Sequence, residues 1–258
     1  MPIRTNSILI TAGTLALSLW VAPSSPASTV TVGATPAYFT GNYGTSTTTN
    51  IFYLPLLLKY QENAVTLKLT VPYISIQSHG AVVSGGTVVG NNGATTTTTN
   101  SGLGDIWLEG RYRFRNGGTT PDITPYAKIK LGTASRSQGL GTGKNDYEGG
   151  VGLEWALGNA FPFADFGYRI LGQPAGVTLN NIPTYDLGLT YKLDQKNYLT
   201  GMFSGHGSAQ SGFADTADAL IAWNYYTHPG SGLQVYVDKG LSNGSPDYGV
   251  GVGVIKRF

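Results

Sequence analysis

The stretch GLGDIWLEGRYRF carries Asp105, Glu109, Arg111 and Arg113, all on odd positions. The same even spacing recurs downstream in the pairs Lys128 and Lys130, Glu148 and Glu154, Asp165 and Arg169, and Asp186 and Lys192. Successive side chains of a strand point to opposite faces, so even separations place each set on one face. Neighbouring strands carrying opposite charges can pair across the sheet. Arg111, Arg113, Lys128 and Lys130 would sit beside the acidic Glu148 and Glu154. If the sheet encloses a lumen, two roles are open for this face. It could form a polarised constriction that selects ions or solutes. It could equally form mutual ion pairs that fill a narrow lumen and hold its shape.

Other candidate chemistry is thinner. FSGHGSAQ holds His206 and Ser208 two apart, on one side of a strand if the segment is extended. A histidine base within reach of a serine hydroxyl activates it for acyl transfer, the arrangement of outer-membrane lipid acyl hydrolases. The glycine- and serine-rich surroundings favour a loop, and no orienting partner can be assigned. QGLGTGK lacks the spacing of a phosphate loop, and no helix follows it. The chain has no cysteine, which excludes disulfides and thiolate metal sites. His79, His206 and His228 have no metal-ligand spacing, so neither a metal nor a cofactor is expected.

The elements that would carry these side chains are strands. Period-two alternation runs through most of the chain, and helical periodicity is almost absent. Tyr185, Leu187, Leu189, Tyr191 and Leu193 alternate with Thr184, Asp186, Gly188, Thr190 and Lys192. Twelve strands can be placed at 30–44, 50–61, 63–78, 102–116, 121–133, 146–157, 160–172, 183–194, 197–206, 214–228, 232–241 and 247–258. Many run about ten residues or more, whereas strands of soluble proteins average about 5–6 and a tilted strand crossing a bilayer needs about 9–11. Short links such as QEN, GN and DQK alternate with long ones such as 79–101 and GTASRSQGLGTGKN. The Thr tracts at 47–49 and 95–99 are expected in surface loops.

Composition separates two all-β architectures. A secreted soluble sandwich or barrel would turn its polar face outward. Only 12% of the 258 residues are charged, against roughly 25% in soluble domains. That is too few to cover a water-facing exterior, and the long strands agree. The expectation is an all-β transmembrane antiparallel up-and-down barrel of twelve strands, apolar outside and charged inside. Aromatics near the strand ends would form interfacial girdles. A net charge of +2 gives no basic stripe for nucleic acid. Residues 1–27 read as a cleaved signal peptide, with the apolar run Ile8 to Ala22 before small Ser25 and Ala27. Residues 28–258 form the barrel.

SGLGDIWLEGRYRF, AKIKLGTASRSQGLGTGKNDYEGGVGL, FADFGYRILG and GSPDYGVGVGVIKRF resemble the outer-membrane transporter family named for a phenol-degradation pathway. AYFTGNYGTSTTTNIFYLPLLLKY and TVPYISI resemble that family's first strands. The resemblance implies a Gram-negative outer-membrane barrel that takes up small, often hydrophobic, molecules; passive diffusion through the lumen, without catalysis, is the expected mode. Its partners would be outer-membrane lipid, the barrel assembly machinery and a small-molecule solute. Loop 79–101 would gate or narrow the mouth. The alternatives are a lipid hydrolase built on His206 and Ser208, or a non-conducting structural or surface-recognition barrel. The last strand would close the barrel, with Tyr248, Val250, Val252, Val254 and Phe258 on the lipid face. Tyr248 and Phe258 fit an assembly signal, although Lys256 stands where that signal has an aromatic.

Overall fold

The computed structural model describes residues 5–6, 22–23, 28–84, 87–91, 96–117, 119–228 and 230–258. The leader expected over 1–27 lies outside the described residues, apart from a two-residue ladder between Thr5–Asn6 and Ala22–Pro23. The rest forms one antiparallel sheet closed on itself. Strand β1 has two pieces, Thr29–Ala34 and Ala37–Gly41. β2 is Thr49–Glu62 and β3 is Val65–Ser78. β4 is again in two pieces, Thr98–Leu103 and Ile106–Tyr112. Next come β5 (Asp122–Leu131), β6 (Asp146–Glu154), β7 (Ala160–Ile170) and β8 (Ile182–Lys192). The last four are β9 (Asn197–His206), β10 (Thr216–His228), β11 (Ser231–Gly240) and β12 (Tyr248–Arg257). β12 pairs with both pieces of β1, from Arg257 opposite Thr31 to Tyr248 opposite Thr40. Closure leaves no open edge, the condition lipid imposes on a spanning sheet.

The strand count is as expected, and two strands differ in detail. β4 begins at Thr98, inside a Thr tract expected to be loop, and breaks at Gly104–Asp105. β1 breaks at Thr35–Pro36 and ends at Gly41, short of the expected residue 44. Both breaks lie beside prolines. Pro36 has no N–H to give the ladder. A Cβ on Gly104 would sit 2.9 Å from the Pro72 ring. Instead the Gly104 N–H donates to the Pro72 carbonyl, 2.8 Å away.

Alternation sorts the side chains as the pattern requires. Leu56, Leu58, Leu67, Leu108, Leu187, Leu189, Ile221, Val250 and Val252 face outward, exposed. Tyr38, Tyr147, Tyr168 and Tyr248 ring the long-loop end of this apolar wall, and Tyr112, Phe114, Tyr191 and Trp223 the short-turn end. Inward positions combine charged and polar residues with a packed apolar cluster that includes Phe39, Ile51, Tyr53, Ile74, Phe163, Met202, Leu220 and Tyr236. Between β3 and β4 a small hairpin, Ala81–Ser84 with Thr87–Asn91, turns back toward the barrel.

Candidate functional site

Register assembles the inner charges. Lys68 on β3 faces Glu109 on β4, Glu109 faces Lys128 on β5, Lys128 faces Glu148 on β6, and Glu148 faces Arg169 on β7. Five adjacent strands thus carry alternating signs at one level of the barrel. Glu109, Lys128 and Glu148 each sit between two opposite charges, whereas at the ends Lys68 faces Lys59 on β2 and Arg169 faces Ile182 on β8. Lys68 Nζ lies 3.0 Å from Glu109 Oε2, and Lys128 Nζ 3.2 Å from Glu148 Oε1. Arg169 Nε lies 2.7 Å from Glu148 Oε2.

Further contacts extend the belt in both directions. Toward the long loops, Lys130 Nζ bridges Asp105 at 3.0 Å and Asp146 at 2.9 Å. Toward the short turns, Arg111 pairs with Glu109 at 2.7 Å and Asp165 at 3.2 Å. Half-buried Arg113 pairs with Asp122 at 2.6 Å and Glu154 at 3.4 Å. Aromatic rings pack against the cations, with Arg111 4.4 Å from the Tyr126 ring centre and Arg169 5.1 Å from that of Trp107.

The expected inner residues Asp105, Glu109, Arg111, Lys128, Lys130, Glu148, Glu154, Asp165, Arg169 and Asp186 are all buried inside. Ten of the expected twelve therefore reach the interior fully, and Arg113 reaches it in part. Asp186 sits on β8 opposite Asp165 and Ser204 rather than in the alternating belt. Half-buried Lys192 is at the short-turn end of β8, opposite Tyr198. Lys68, Asp122, Asp146, Asp218 and Asp238 were not among the expected residues, yet all lie on inward positions. Simple alternation marks them: Leu67 and Leu69 flank Lys68 outward, and Val237 outward fixes Asp238 inward.

Two long loops close over the belt. Ala81, Val83 and Val88 of the small hairpin are buried in the apolar cluster with Ala134 and Leu140 of loop 132–145. The Val83 N–H donates to the Gly139 carbonyl at 3.0 Å. Gly139 has φ +71°, and a Cβ there would lie 2.8 Å from the Ala81 carbonyl oxygen; only glycine fits. Loop 132–145 is tied to the charges below it. The Ala134 N–H donates to Asp105 at 3.1 Å, and Lys130 Nζ donates to Thr142 Oγ1 at 3.2 Å. Lys130, Thr190, Thr200, Asn224 and Gln234 have no exposed surface. The lumen around these residues is filled in this state.

His206 and Ser208 do not meet in the described hydrogen bonds. The Ser208 hydroxyl donates to the Gln210 and Phe213 carbonyls, each at 2.7 Å. His206 is buried on the inner side, with Nδ1 2.8 Å from the Gly207 carbonyl. Among the described residues no group of three or more His, Cys, Asp or Glu could hold a metal ion. At the end of β12, the Phe258 N–H donates to Val30 at 2.8 Å, and its ring faces outward, 72% exposed. Tyr248 is also outward, under the Lys239 ammonium at 4.0 Å from its ring centre.

A closed twelve-stranded barrel, apolar outside and charged within, is the architecture of an outer-membrane β-barrel. Solved structures share it. An outer membrane channel from Pseudomonas putida F1 superposes with a TM-score of 0.66 at 16% identity, over 91% of this chain and 96% of that one. The KdgM porin gives 0.55 at 10% identity, over 88% and 99%. The translocator domain of the autotransporter NalP from Neisseria meningitidis gives 0.54 at 10% identity, over 91% and 90%. No family model and no curated protein matches the sequence. The likeness is one of fold, shared with outer-membrane channels and other outer-membrane barrels.

Proposed function

We propose that this barrel is an outer-membrane channel for passive uptake of small solutes, held shut in this state by the hairpin at 81–91 and loop 132–145. The observation that carries this is the alternating-sign belt on β3–β7. Filling a barrel needs no charge. Replacing buried ion pairs by apolar groups of similar volume is often neutral or stabilising. A lumen that only needed stuffing would do so more cheaply with leucine and phenylalanine. A charged track beside an apolar, aromatic wall of Phe39, Tyr53, Phe163 and Tyr236 suits small, partly hydrophobic or aromatic solutes that carry a polar group. The chain reaches the membrane through its N-terminal leader and the barrel assembly machinery, with Tyr248 and Phe258 on the face that machinery reads.

The closure is built to open. The belt is fixed by register, whereas the hairpin sits on the wall through a few apolar side chains and bonds such as that from the Ala81 N–H to Ser78 Oγ at 3.0 Å. Planar-bilayer recordings of the refolded full chain test the proposal. The wild type is expected to open briefly and rarely. A variant with 81–91 replaced by a short Gly-Ser linker is expected to stay open with larger steps. Silence from both proteins would reject the channel in favour of a structural barrel.

A further inference from the structure

Opposite the paired belt, the long-loop end of the lumen holds acidic groups with no described cation beside them. Asp218 on β10 faces Gly240 by register, and Asp238 on β11 faces Leu220. The two aspartates are therefore diagonal neighbours on one inner face, about 7–8 Å apart along the backbone. Both are buried. Asp218 Oδ1 and both carboxylate oxygens of Asp238 have no hydrogen-bond partner. Leaving such charges buried and unpaired is costly.

A third oxygen comes from a different element. Tyr43 lies in the loop between β1 and β2, only 3% exposed, and its hydroxyl also has no partner. Its phenol is pushed well above the ordinary tyrosine range by burial, and then by the charges of Asp218, Asp238 and Asp247. Tyr43 packs in one buried cluster with Phe39 and Tyr236, and a Cβ on Gly249 would meet both the Phe39 ring and, at 3.1 Å, the Asp238 Cβ, which sets Asp238 beside that cluster. Tyr43 also adopts φ 49°, a left-handed conformation rare for a bulky residue.

We propose that Asp218, Asp238 and the Tyr43 hydroxyl form a binding site for a hard divalent cation, of the Ca²⁺ class, at the mouth of the barrel. Every unpartnered donor is an oxygen, the ligand type such ions take. Two carboxylates match one divalent charge. All three side chains are buried, so an ion held there would be shielded from water. A bound ion would fasten the β1–β2 loop to the β10–β11 wall. This holds whether or not the barrel conducts, because it rests on the wall and one loop alone.

The test uses refolded full-length protein stripped with EDTA, then titrated with CaCl₂ and followed by calorimetry and thermal unfolding. Wild type is expected to bind one Ca²⁺ per chain and to unfold at higher temperature with it. Asp238→Asn should weaken binding at least tenfold and abolish the calcium-dependent shift. Asp194→Asn, in a short turn at the far end, should keep both. If Asp238→Asn fails to fold, Tyr43→Phe supplies the second variant and should weaken binding measurably. Wild type that takes up no Ca²⁺, or variants that bind as tightly as wild type, would overturn the proposal. Stability that responds to pH but not to Ca²⁺ would also overturn it, in favour of a proton shared by the two carboxylates.

Discussion

Lys130 shows what a single inner charge does. It has no exposed surface and holds two carboxylates, Asp105 and Asp146, within 3.0 Å. Lys130→Met keeps much of the volume but leaves both acids buried and unpaired. The expected loss is about 3–5 kcal/mol, read as a lower denaturation midpoint in detergent micelles. Adding Asp105→Asn and Asp146→Asn should recover most of it. A water-exposed carboxylate behaves differently. In the turn after β8, Asp194 accepts the Lys196 N–H at 2.7 Å and the Asn197 N–H at 2.9 Å, and the Asn197 amide at 2.8 Å. These bonds, that from Lys196 first, hold its pKa below the ordinary value. Its stabilising effect is therefore complete above the unfolded carboxylate pKa of about 3.9. It is lost as pH falls through the lower folded value. Asp194→Asn should flatten that acid limb in stability measured against pH, and an unchanged limb would show that the turn bonds contribute nothing. Alternation alone marks nearly all of these charges as inward. It does not say which acids find a cation, because that depends on the strand opposite: Glu109 meets Lys68 and Lys128, while Asp238 meets Leu220 and Gly249.

The strands themselves are readable because each has one face toward an apolar outside, so a slip of one residue would reverse every side chain. What alternation leaves out is the use of glycine. On β12, Gly251 and Gly249 are inward, and a Cβ at either would collide with a ring, Tyr236 from β11 or Phe39 from β1. Gly253 likewise leaves room for Thr35, whose Oγ1 would be 2.8 Å from a Cβ there. The same device recurs where Phe163 lies over Gly188 and Tyr126 over Gly150 and Gly167. The glycines do not leave holes; they let aromatic side chains from the next strand lie flat on the wall. Gly251→Val should therefore cost about 1–3 kcal/mol by overpacking. Unfolding of the double variant Gly251→Val with Tyr236→Leu should return most of that loss. If the single substitution is silent, the ring is free to move and the packing is not specific. The break in β1 falls at its own Pro36, whereas that in β4 answers to Pro72 on β3, and a pairing partner is not written in the alternation.

A twelve-stranded wall stands between eight-stranded barrels filled by their own side chains and the water-filled 16-stranded porins, so long side chains and loops together decide whether the lumen is open. The inward fold of the hairpin had a signal in the sequence: AVVSGGTVV is too apolar to remain in water as a surface loop. Its docking partner, loop 132–145, had none, since Ala134 and Leu140 are isolated among small and polar residues. The charge map of the whole barrel then sets the expected selectivity. On β3–β7 opposite charges are interleaved and largely cancel. On β8, β10 and β11, Asp186, Asp218 and Asp238 add acidic charge on the other side of the lumen. Once the hairpin is removed, ions entering from the long loops meet the acidic groups of β10 and β11 first, and the inward Lys59 and Arg257 only at the short-turn end. The loop-deleted variant should therefore be cation-selective, with a reversal potential in a KCl gradient displaced toward the potassium equilibrium value when EDTA keeps divalent ions away. Asp218→Asn with Asp238→Asn in that background should move the reversal potential toward zero, and millimolar CaCl₂ should do the same with both aspartates intact. An anion-selective pore, or a reversal potential indifferent to both changes, would mean that permeating ions are steered by the belt on β3–β7 and not by the acidic wall.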